Sequence, residues 1–329
     1  MRILVIGDEK RFEKYLPDLE IVEKVESVVV GRGTSDAEII DAVGDVDAIV
    51  ADAISPVTEA LMDSLPSLKL VHSEGVAYNA IDVRAATEKG IYVCNNAGVN
   101  DGAVAEQAIL LMLACLRDLV PGDAAVRAGK QIQMKERLMV EGIRELGDCK
   151  VGLVGLGAIA AQTALRLKAF GSEVFYWNRT RRSPEREEEL GVTYLPLDEL
   201  ARTCDIVSIH VPVTPETTDL VDDAFLARMK GDAILINTAR GEIVDQVALA
   251  QALEEGVIGA AGLDTMSPEP VKADHPLALL SPQAASKLVL SPHIGGVTEG
   301  MFRRAWTTIW QNIERVSNGE RPLNIVNGL

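Results

Sequence analysis

The sequence predicts an α/β fold in which parallel sheets are covered by helices on both faces. Short runs rich in β-branched residues, such as R-I-L-V-I-G near the start of the chain, alternate with longer stretches of helical character. These runs are apolar almost throughout, which is typical of strands buried on both faces. One series lies before about residue 97 and a second begins at about residue 150, so two doubly wound domains are expected.

The runs that predict strands are short and follow one another in a regular order. The first series is R-I-L-V-I-G, E-S-V-V-V, D-A-I-V-A-D, L-K-L-V-H-S and I-Y-V-C-N-N. The second series is K-V-G-L-V-G, E-V-F-Y-W-N, D-I-V-S-I-H-V-P, A-I-L-I-N-T, G-A-A-G-L-D and L-V-L-S-P-H.

Two predicted helices connect or complete these series. The stretch D-G-A-V-A-E-Q-A-I-L-L-M-L-A-C-L-R-D-L, from Asp101 to Leu119, has an apolar side too wide for a surface helix, so it is expected to be a buried connection. The segment from Glu299 to Asn318 has helical spacing and ends at Gly319. Because no strand follows it, we expect this helix to return to the first domain.

Composition excludes several classes of partner. With 32 basic and 49 acidic side chains the formal charge is 32 − 49 = −17, which disfavours nucleic acid and anionic membranes. The longest apolar run, A-I-L-L-M-L-A-C-L, is about half the length of a membrane span, and no signal-peptide pattern begins the chain. The four cysteines show no metal-ligand spacing with the four histidines. We therefore expect a cytoplasmic protein without a metal.

A glycine turn follows the first strand of the second series. Gly155-Leu156-Gly157-Ala158-Ile159-Ala160 fits G-x-G-x-x-A, in which the glycines allow a tight turn and close approach of backbone to a pyrophosphate. The amides that open the next helix, at Ala158 and Ile159, would face the phosphates. The alternative is a turn of small residues such as any α/β protein contains. The strand before it, the amphipathic helix after it and the next strand favour a dinucleotide site.

The position that usually holds an acidic residue, about 20 residues further on, is Asn178 in the stretch W-N-R-T-R-R. A carboxylate there accepts hydrogen bonds from the adenosine ribose and repels a 2′-phosphate. Neutral Asn178, with Arg179, Thr180 and Arg181, offers donors and positive charge to that phosphate instead. In the alternative interpretation the arginines pair with nearby Glu185, Glu187 and Glu188 in a solvated loop. The sequence therefore favours NADP, with NAD possible.

Three ionisable residues stand at or after the ends of later strands, where ligands of such sheets bind. They are Arg240, Glu269 and His293. Singly, Arg240 could pair with Glu242 or Asp245, Glu269 could be a wet loop residue, and His293 could cap a turn. Together they suit hydride exchange with a 2-oxo acid: a guanidinium binds the carboxylate, an imidazole exchanges the proton, and a carboxylate orients the ring.

With these residues established, the sequence resembles the D-isomer-specific 2-hydroxyacid dehydrogenases over nearly its whole length. The resemblance lies in S-E-G-V-A-Y-N-A-I-D (73–82), N-N-A-G-V-N-D-G-A-V-A-E (95–106), the glycine turn, S-I-H-V-P-V-T-P-E-T-T (208–218), N-T-A-R-G-E-I-V-D and S-P-H-I-G-G. It implies an NAD(P)-dependent D-2-hydroxyacid dehydrogenase or 2-oxoacid reductase. Asn178 makes the chain similar to the glyoxylate/hydroxypyruvate reductase branch.

The resemblance also implies a domain organisation and a role for each site residue. A Rossmann cofactor domain, 99–293, would be inserted in a flavodoxin-like substrate domain formed by 1–98 and 294–329, and the cofactor domain would supply a homodimer contact. Arg240 would bind substrate, with His293 as acid/base and Glu269 as its partner. Amides of Val76 and Ala77 would meet the substrate carboxylate. The remaining cofactor contacts would be Thr238, Ala239 and Asp264 at the nicotinamide and Val211 and Pro212 at the adenine.

Two further points qualify this expectation. Glu74 adds a negative charge to the loop of Val76 and Ala77, which argues against a phosphorylated substrate. A non-enzymatic alternative is a dinucleotide-sensing binding module of the same fold, since corepressors of this kind keep similar residues. The acidic charge and the lack of partner-recruiting tails argue mildly against that alternative.

Overall fold

The computed structural model describes all 329 residues, which divide into two compact units. The first unit comprises Met1–Asn100 with Val297–Leu329, and the second comprises Asp101–Gly296. Each unit is built on one wholly parallel sheet, of five strands in the first and seven in the second. The predicted fold class, two doubly wound α/β units, is therefore confirmed.

The sheet of the first unit has the strand order β2-β1-β3-β4-β5, which is the flavodoxin-like order. Its strands are β1 (Arg2–Ile6), β2 (Glu26–Val30), β3 (Ala48–Ala51), β4 (Leu70–Ser73) and β5 (Tyr92–Cys94). Its helices are α1 (Glu9–Lys14), α2 (Glu20–Lys24), α3 (Asp36–Val43), α4 (Glu59–Asp63), α5 (Val83–Glu88) and the C-terminal α15 (Glu299–Ser317).

Helix α15 covers one face of this sheet. Its side chains Trp306 and Trp310 are almost completely buried among residues of β1 and β3, including Ile3 and Val50. Burial of two such rings stabilises the unit by several kcal/mol, at about 1.5–3 kcal/mol for each large apolar side chain. The apolar face of the helix predicted from Glu299 is therefore buried against the sheet of the first unit.

The sheet of the second unit has the order β12-β11-β10-β9-β6-β7-β8. Its strands are β6 (Lys150–Val154), β7 (Glu173–Trp177), β8 (Val192–Tyr194), β9 (Ile206–Ile209), β10 (Ile234–Asn237), β11 (Ala260–Leu263) and β12 (Leu288–Leu290). Its helices are α6 (Asp101–Leu116), α7 (Leu119–Arg127), α8 (Gln131–Glu141), α9 (Ala158–Phe170), α10 (Pro184–Leu190), α11 (Leu197–Thr203), α12 (Asp223–Leu226), α13 (Gln246–Glu255) and α14 (Pro282–Ala285).

Helix α6 opens the second unit and confirms the predicted buried connection. Ten of its sixteen residues are buried, and it packs on α9 and on strands β10 and β11. The eleven predicted strand runs all form strands, and β8 is an additional one. None of the helices is long and apolar enough to cross a membrane.

A neutral histidine lies in the interior of the first unit. His72, on β4, is fully buried, with its Nδ1 2.8 Å from the carbonyl oxygen of Ser73. Its Nε2 lies 3.1 Å from the amide nitrogen of Asn312 on α15, and Asn312 also holds both backbone groups of Leu323. Because the Asn312 amide donates, Nε2 must accept, so the ring is neutral. Burial lowers the pKa of His72 to about 4.

This arrangement predicts that the first unit loses stability in mild acid. The unfolded chain binds a proton at His72 below about pH 6.5, whereas the folded chain binds it only near pH 4, so stability falls as the pH drops through this window. Between about pH 7.5 and about pH 5.5 the loss from this residue is about 1.4 kcal/mol. Urea unfolding of the wild type and of His72→Gln at both pH values measures it, and an equal pH dependence in the two proteins would refute the assignment.

Candidate active site

The carboxyl edge of the seven-stranded sheet collects most of the predicted site residues. All seven strands are parallel, so every loop that follows a strand emerges at this edge. The residues in question are Gly155 after β6, Asn178 after β7, Val211 after β9, Arg240 after β10, Asp264 after β11 and His293 after β12.

The glycine turn after β6 has the geometry of a phosphate cradle. Gly155 has a φ of +99°, and a Cβ there would lie 2.8 Å from the carbonyl oxygen of His210 and 2.9 Å from a methyl group of Val211. Gly157 precedes α9 without a side-chain cap, and a Cβ there would point into open space. The amides of Ala158 and Ile159 donate no hydrogen bond within the protein. These residues therefore fit a pyrophosphate, because backbone donors face a space that a side chain would fill.

The backbone of Leu156, in the middle of this turn, is held by the segment after β7. Its amide donates to Oδ1 of Asn178 at 2.8 Å. Its carbonyl oxygen accepts from Nη2 and Nε of Arg182 at 2.8 and 3.2 Å. Asn178 thus contributes an acceptor to the turn and keeps its amide nitrogen as a donor for a ligand.

The arginines of W-N-R-T-R-R have different partners. Arg181 forms a bidentate pair with Glu187 at 2.7 and 2.8 Å, and Glu187 also accepts from the Tyr176 hydroxyl. The Arg181 guanidinium and the Tyr176 hydroxyl lower the pKa of Glu187 to about 2. For Arg181 the structure has the acidic partner that the alternative interpretation expects, and a phosphate contact of this residue stays a prediction.

Arg179 and Thr180 are exposed and have no hydrogen-bond or ion-pair partner in the protein. The Thr214 hydroxyl chiefly lowers the pKa of Glu216, and the positive charge of Arg179 contributes, so Arg179 lies near the loop that follows Val211 and Pro212. Of the three arginines, Arg179 is the one whose whole guanidinium is available to a ligand beside Asn178.

The turn after β10 presents the residues expected at the nicotinamide. The buried side chain of Asn237 accepts from the amide of Ala239 at 2.9 Å and donates to the carbonyl oxygen of Arg240 at 2.8 Å. The Thr238 hydroxyl is buried and has no hydrogen-bond partner within the protein. A buried polar atom of this kind is costly unless a ligand or water satisfies it, so Thr238 also fits a bound cofactor.

Arg240 forms no ion pair with Glu242 or Asp245, and Asp245 caps α13. Its Nη1 donates to the carbonyl oxygen of Ala239 at 2.7 Å, and the remaining donors are free. Gly241 brings this turn against the loop after β11, since a Cβ there would lie 2.0 Å from the carbonyl carbon of Met266. That loop carries Glu269, so the absence of a side chain at Gly241 places Arg240 beside the segment of Glu269.

His293 and Glu269 form a direct pair. Nδ1 of His293 lies 2.7 Å from Oε2 of Glu269, and Oε1 of Glu269 accepts from the amide of Met266 at 3.1 Å. Both side chains are partly exposed, at 43% and 38%. A carboxylate on Nδ1 fixes the tautomer and leaves Nε2 free to exchange a proton with a ligand.

Asp264 organises the loop of His293. Its Oδ1 accepts from the Ser291 hydroxyl at 2.5 Å and from the amide of Ile294 at 3.0 Å, and its Oδ2 accepts from the amide of Gly295 at 2.7 Å. The sequence predicts this side chain at the nicotinamide. In the structure its carboxylate accepts these three hydrogen bonds from the loop.

In the first unit, the loop after β4 carries Val76 and Ala77. Their amides donate no hydrogen bond within the protein, whereas the loop itself is fixed by side chains: Asn95 donates to the Val76 carbonyl at 2.7 Å and the Ser73 hydroxyl donates to the Ala77 carbonyl at 2.6 Å. Free amides on a fixed backbone suit an anion such as a carboxylate.

Glu74 does not direct its charge as the sequence suggested. Glu74 is buried, with 6% of the residue exposed. Its carboxylate forms an ion pair with Arg11 at 2.6 Å and accepts a hydrogen bond from Nε1 of Trp306 at 3.1 Å. Burial raises the pKa of Glu74, and Arg11 opposes this rise. The charge is thus compensated inside the unit, and it gives no argument against a phosphorylated substrate.

Sequence reasoning missed several residues that shape the site. Asn237 and Asn95 hold turns through local hydrogen bonds, and Asn residues next to strand ends are the signal that could have identified them. Ser291, in the loop of His293, and Gln107, which donates to Ser291, had no such signal.

Comparison with known proteins agrees with this geometry. Residues 109–295 match the family model described as D-isomer specific 2-hydroxyacid dehydrogenase, NAD binding domain. The chain is 39% identical over 289 residues to glyoxylate reductase of Korarchaeum cryptofilum, covering 88% of this chain and 85% of that one.

Solved structures share the fold across both units. The D-mandelate dehydrogenase of Rhodotorula graminis is 28% identical with a TM-score of 0.83, covering 99% of this chain and 97% of that one. A protein from Thermus thermophilus is 32% identical with a TM-score of 0.82, covering 99% and 100%. The chain therefore belongs to the D-isomer-specific 2-hydroxyacid dehydrogenases, a family of NAD(P)-dependent oxidoreductases.

Proposed function

We propose that the protein reduces a small 2-oxo acid to its D-2-hydroxy acid, with NADPH as the preferred hydride donor. The observation that carries this proposal is the pair of His293 and Glu269 at 2.7 Å at the carboxyl edge of the sheet, which engages Nδ1 of the imidazole and leaves Nε2 without a partner. Glyoxylate is the first substrate to consider, since the relative from Korarchaeum cryptofilum is a glyoxylate reductase.

In this proposal the chain's own residues bind the acid and move one proton. Arg240 binds the 2-oxo acid through its free donors and polarises the carbonyl. The reduced nicotinamide, when bound, supplies the hydride. Protonated His293 gives the proton on Nε2 to the carbonyl oxygen, and Glu269 keeps the ring in place as the imidazole becomes neutral.

A substrate matrix with acid/base variants tests this function. Glyoxylate, hydroxypyruvate, pyruvate and branched and aromatic 2-oxo acids are each assayed with NADPH and NADH, and kcat/KM is compared. His293→Ala should lower kcat by roughly 10²–10⁴-fold while leaving NADPH affinity nearly unchanged, because the imidazole supplies the proton but not the cofactor contacts. Glu269→Gln should lower kcat by a smaller factor.

Glu255→Gln, an exposed position on α13, serves as the matched carboxylate control. Unchanged turnover in His293→Ala would falsify the acid/base assignment. If the wild type oxidises neither NADPH nor NADH with any acid of the panel, a dinucleotide-sensing binding module becomes the better interpretation.

The preference for NADPH is supported by the contacts after β7. Asn178 carries no charge and already uses Oδ1 on Leu156, so its amide nitrogen is the group left for a ligand. Arg179 and Thr180 are exposed and unpaired beside it. A 2′-phosphate would gain charge-assisted hydrogen bonds here, which contribute about 1.5–3 kcal/mol each.

Two substitutions test this preference without breaking the turn. Asn178→Asp keeps the acceptor for the Leu156 amide and adds only charge, so it should lower the NADPH-to-NADH ratio of kcat/KM by about tenfold or more. Arg179→Ala should raise KM for NADPH by roughly 10–100-fold and change KM for NADH little. Arg186→Ala, in the next helix, is the control. A wild type that prefers NADH would contradict the proposal.

We also propose that the protein is a homodimer formed through α7 and α8. Neither helix has a buried residue, although large apolar side chains lie along both. Those that are more than half exposed are Leu119, Val120, Val126, Ile132, Met139 and Val140. Single exposed apolar residues are ordinary, but a row of them along two successive helices without a buried face is typical of a surface that a partner covers.

The oligomeric state gives a direct test. Val126→Asp combined with Val140→Asp places charge on both helices and should convert a dimer into a monomer, as light scattering coupled to size exclusion measures. Leu279→Asp, also exposed but outside these helices, should leave the dimer intact. A wild-type chain that is monomeric at micromolar concentration would overturn this proposal.

For localisation we propose the cytoplasm. All four cysteines are unpaired; Cys94, Cys149 and Cys204 are buried, and Cys115 is partly buried. Burial raises the pKa of Cys94, Cys115 and Cys204 to about 12, which keeps these thiols protonated and unreactive. Free structural thiols are typical of proteins in a reducing compartment.

A further inference from the structure

The loop that carries His293 has an unfavourable backbone conformation. His293 has a φ of +56°, in the left-handed region that non-glycine residues rarely adopt. Such a conformation is unfavourable for a residue that carries a Cβ, and it persists only where the surroundings fix it. The contacts that fix this loop are therefore part of what places the imidazole.

Asp264 supplies one set of these contacts from β11, as described above. A second set comes from α6, through Gln107. Its Nε2 donates to the Ser291 hydroxyl at 2.8 Å. A Cβ built on Gly295 would lie 3.4 Å from both Cβ and Cγ of Gln107, so the stem of the glutamine packs directly on Gly295. Gln107 thus contacts the loop two residues before His293 and two residues after it.

The direction of each hydrogen bond that links Gln107, Ser291 and Asp264 is fixed. The Gln107 amide donates to Ser291, so the Ser291 proton is free to go to Asp264 at 2.5 Å. Ionised Asp264 only accepts, and it also receives the amides of Ile294 and Gly295. Gln107 is 8% exposed and lies on a helix with ten buried residues, so its side chain has a rigid support.

We propose that Gln107 is a positioning residue for the proton-transfer group: it acts through Ser291 and Gly295 to hold the His293 loop so that Nδ1 meets Glu269. This inference rests on the proposed function, because it assigns His293 the acid/base role. Gln107 itself touches neither substrate nor cofactor in this scheme. The sequence gives no sign of the role, since a glutamine in a buried helix has no pattern that distinguishes it.

Substitution of Gln107 tests the proposal by kinetics. Gln107→Met keeps the length of the side chain but removes the donor, so kcat with the best 2-oxo acid should fall by about tenfold or more while KM for NADPH stays within about twofold. Gln107→Glu keeps the shape but, when ionised, accepts the Ser291 proton that Asp264 needs, so it should behave like Gln107→Met. Gln251→Met, the same change on the exposed side of α13, should have no effect.

A spectroscopic signature separates positioning from general damage. With histidine labelled by ¹⁵N, the neutral ring of His293 should carry its proton on Nδ1 in the wild type without cofactor, because the Glu269 carboxylate only accepts. In Gln107→Met the Nε2 tautomer should appear as the loop shifts. His293→Ala identifies the signal by its loss.

Ser291→Ala provides a second route if Gln107→Met folds poorly. It removes the same hydrogen bond from the other side, so it should lower kcat similarly, and the double variant should lose no more than either single variant. The proposal is overturned if Gln107→Met retains kcat within about twofold and its His293 tautomer is unchanged, or if Gln107→Glu matches the wild type. A wild type without turnover would instead refute the proposed function, and the tautomer would still decide the role of Gln107.

Discussion

Parallel pairing of the seven strands in the second unit is the constraint on which the site depends. Each strand must be followed by a connection that returns over a face of the sheet, so the loops after β6, β7, β9, β10, β11 and β12 all start from one edge. Close backbone contacts then bring neighbouring loops together. Gly155 lies against His210 and Gly241 against Met266, and a side chain at either glycine would separate two loops that carry site residues.

Much of this fold could be predicted from the sequence because its strands are buried on both faces and are therefore apolar throughout. The strand that escaped prediction, β8, has only three residues and lies at the sheet edge, where Val192-Thr193-Tyr194 shows neither length nor continuous apolarity. The order of strands was not readable in the same way, since it depends on packing between segments far apart in the chain.

The candidate site, too, could be predicted from the sequence only in part. His293, Glu269 and Arg240 could be singled out because each is an ionisable residue beside a strand end, and the structure brings His293 and Glu269 together. The partners of the arginines could not be deduced. Arg181 meets Glu187 six residues away, whereas Arg182 reaches the carbonyl of Leu156, 26 residues back in the chain. Spacing alone does not separate these two cases, because the bend of the chain after β7 decides them.

The double attachment of Leu156 has a consequence for how cofactor preference can change during evolution or engineering. The segment proposed to discriminate between cofactors also holds the phosphate turn in place, because Asn178 and Arg182 bind the backbone of Leu156. Replacement of the whole segment would therefore alter the affinity for both dinucleotides together. The exposed side chains of Arg179 and Thr180 form no hydrogen bond with the turn, so substitutions at these two positions should alter the proposed selectivity while the turn keeps its shape.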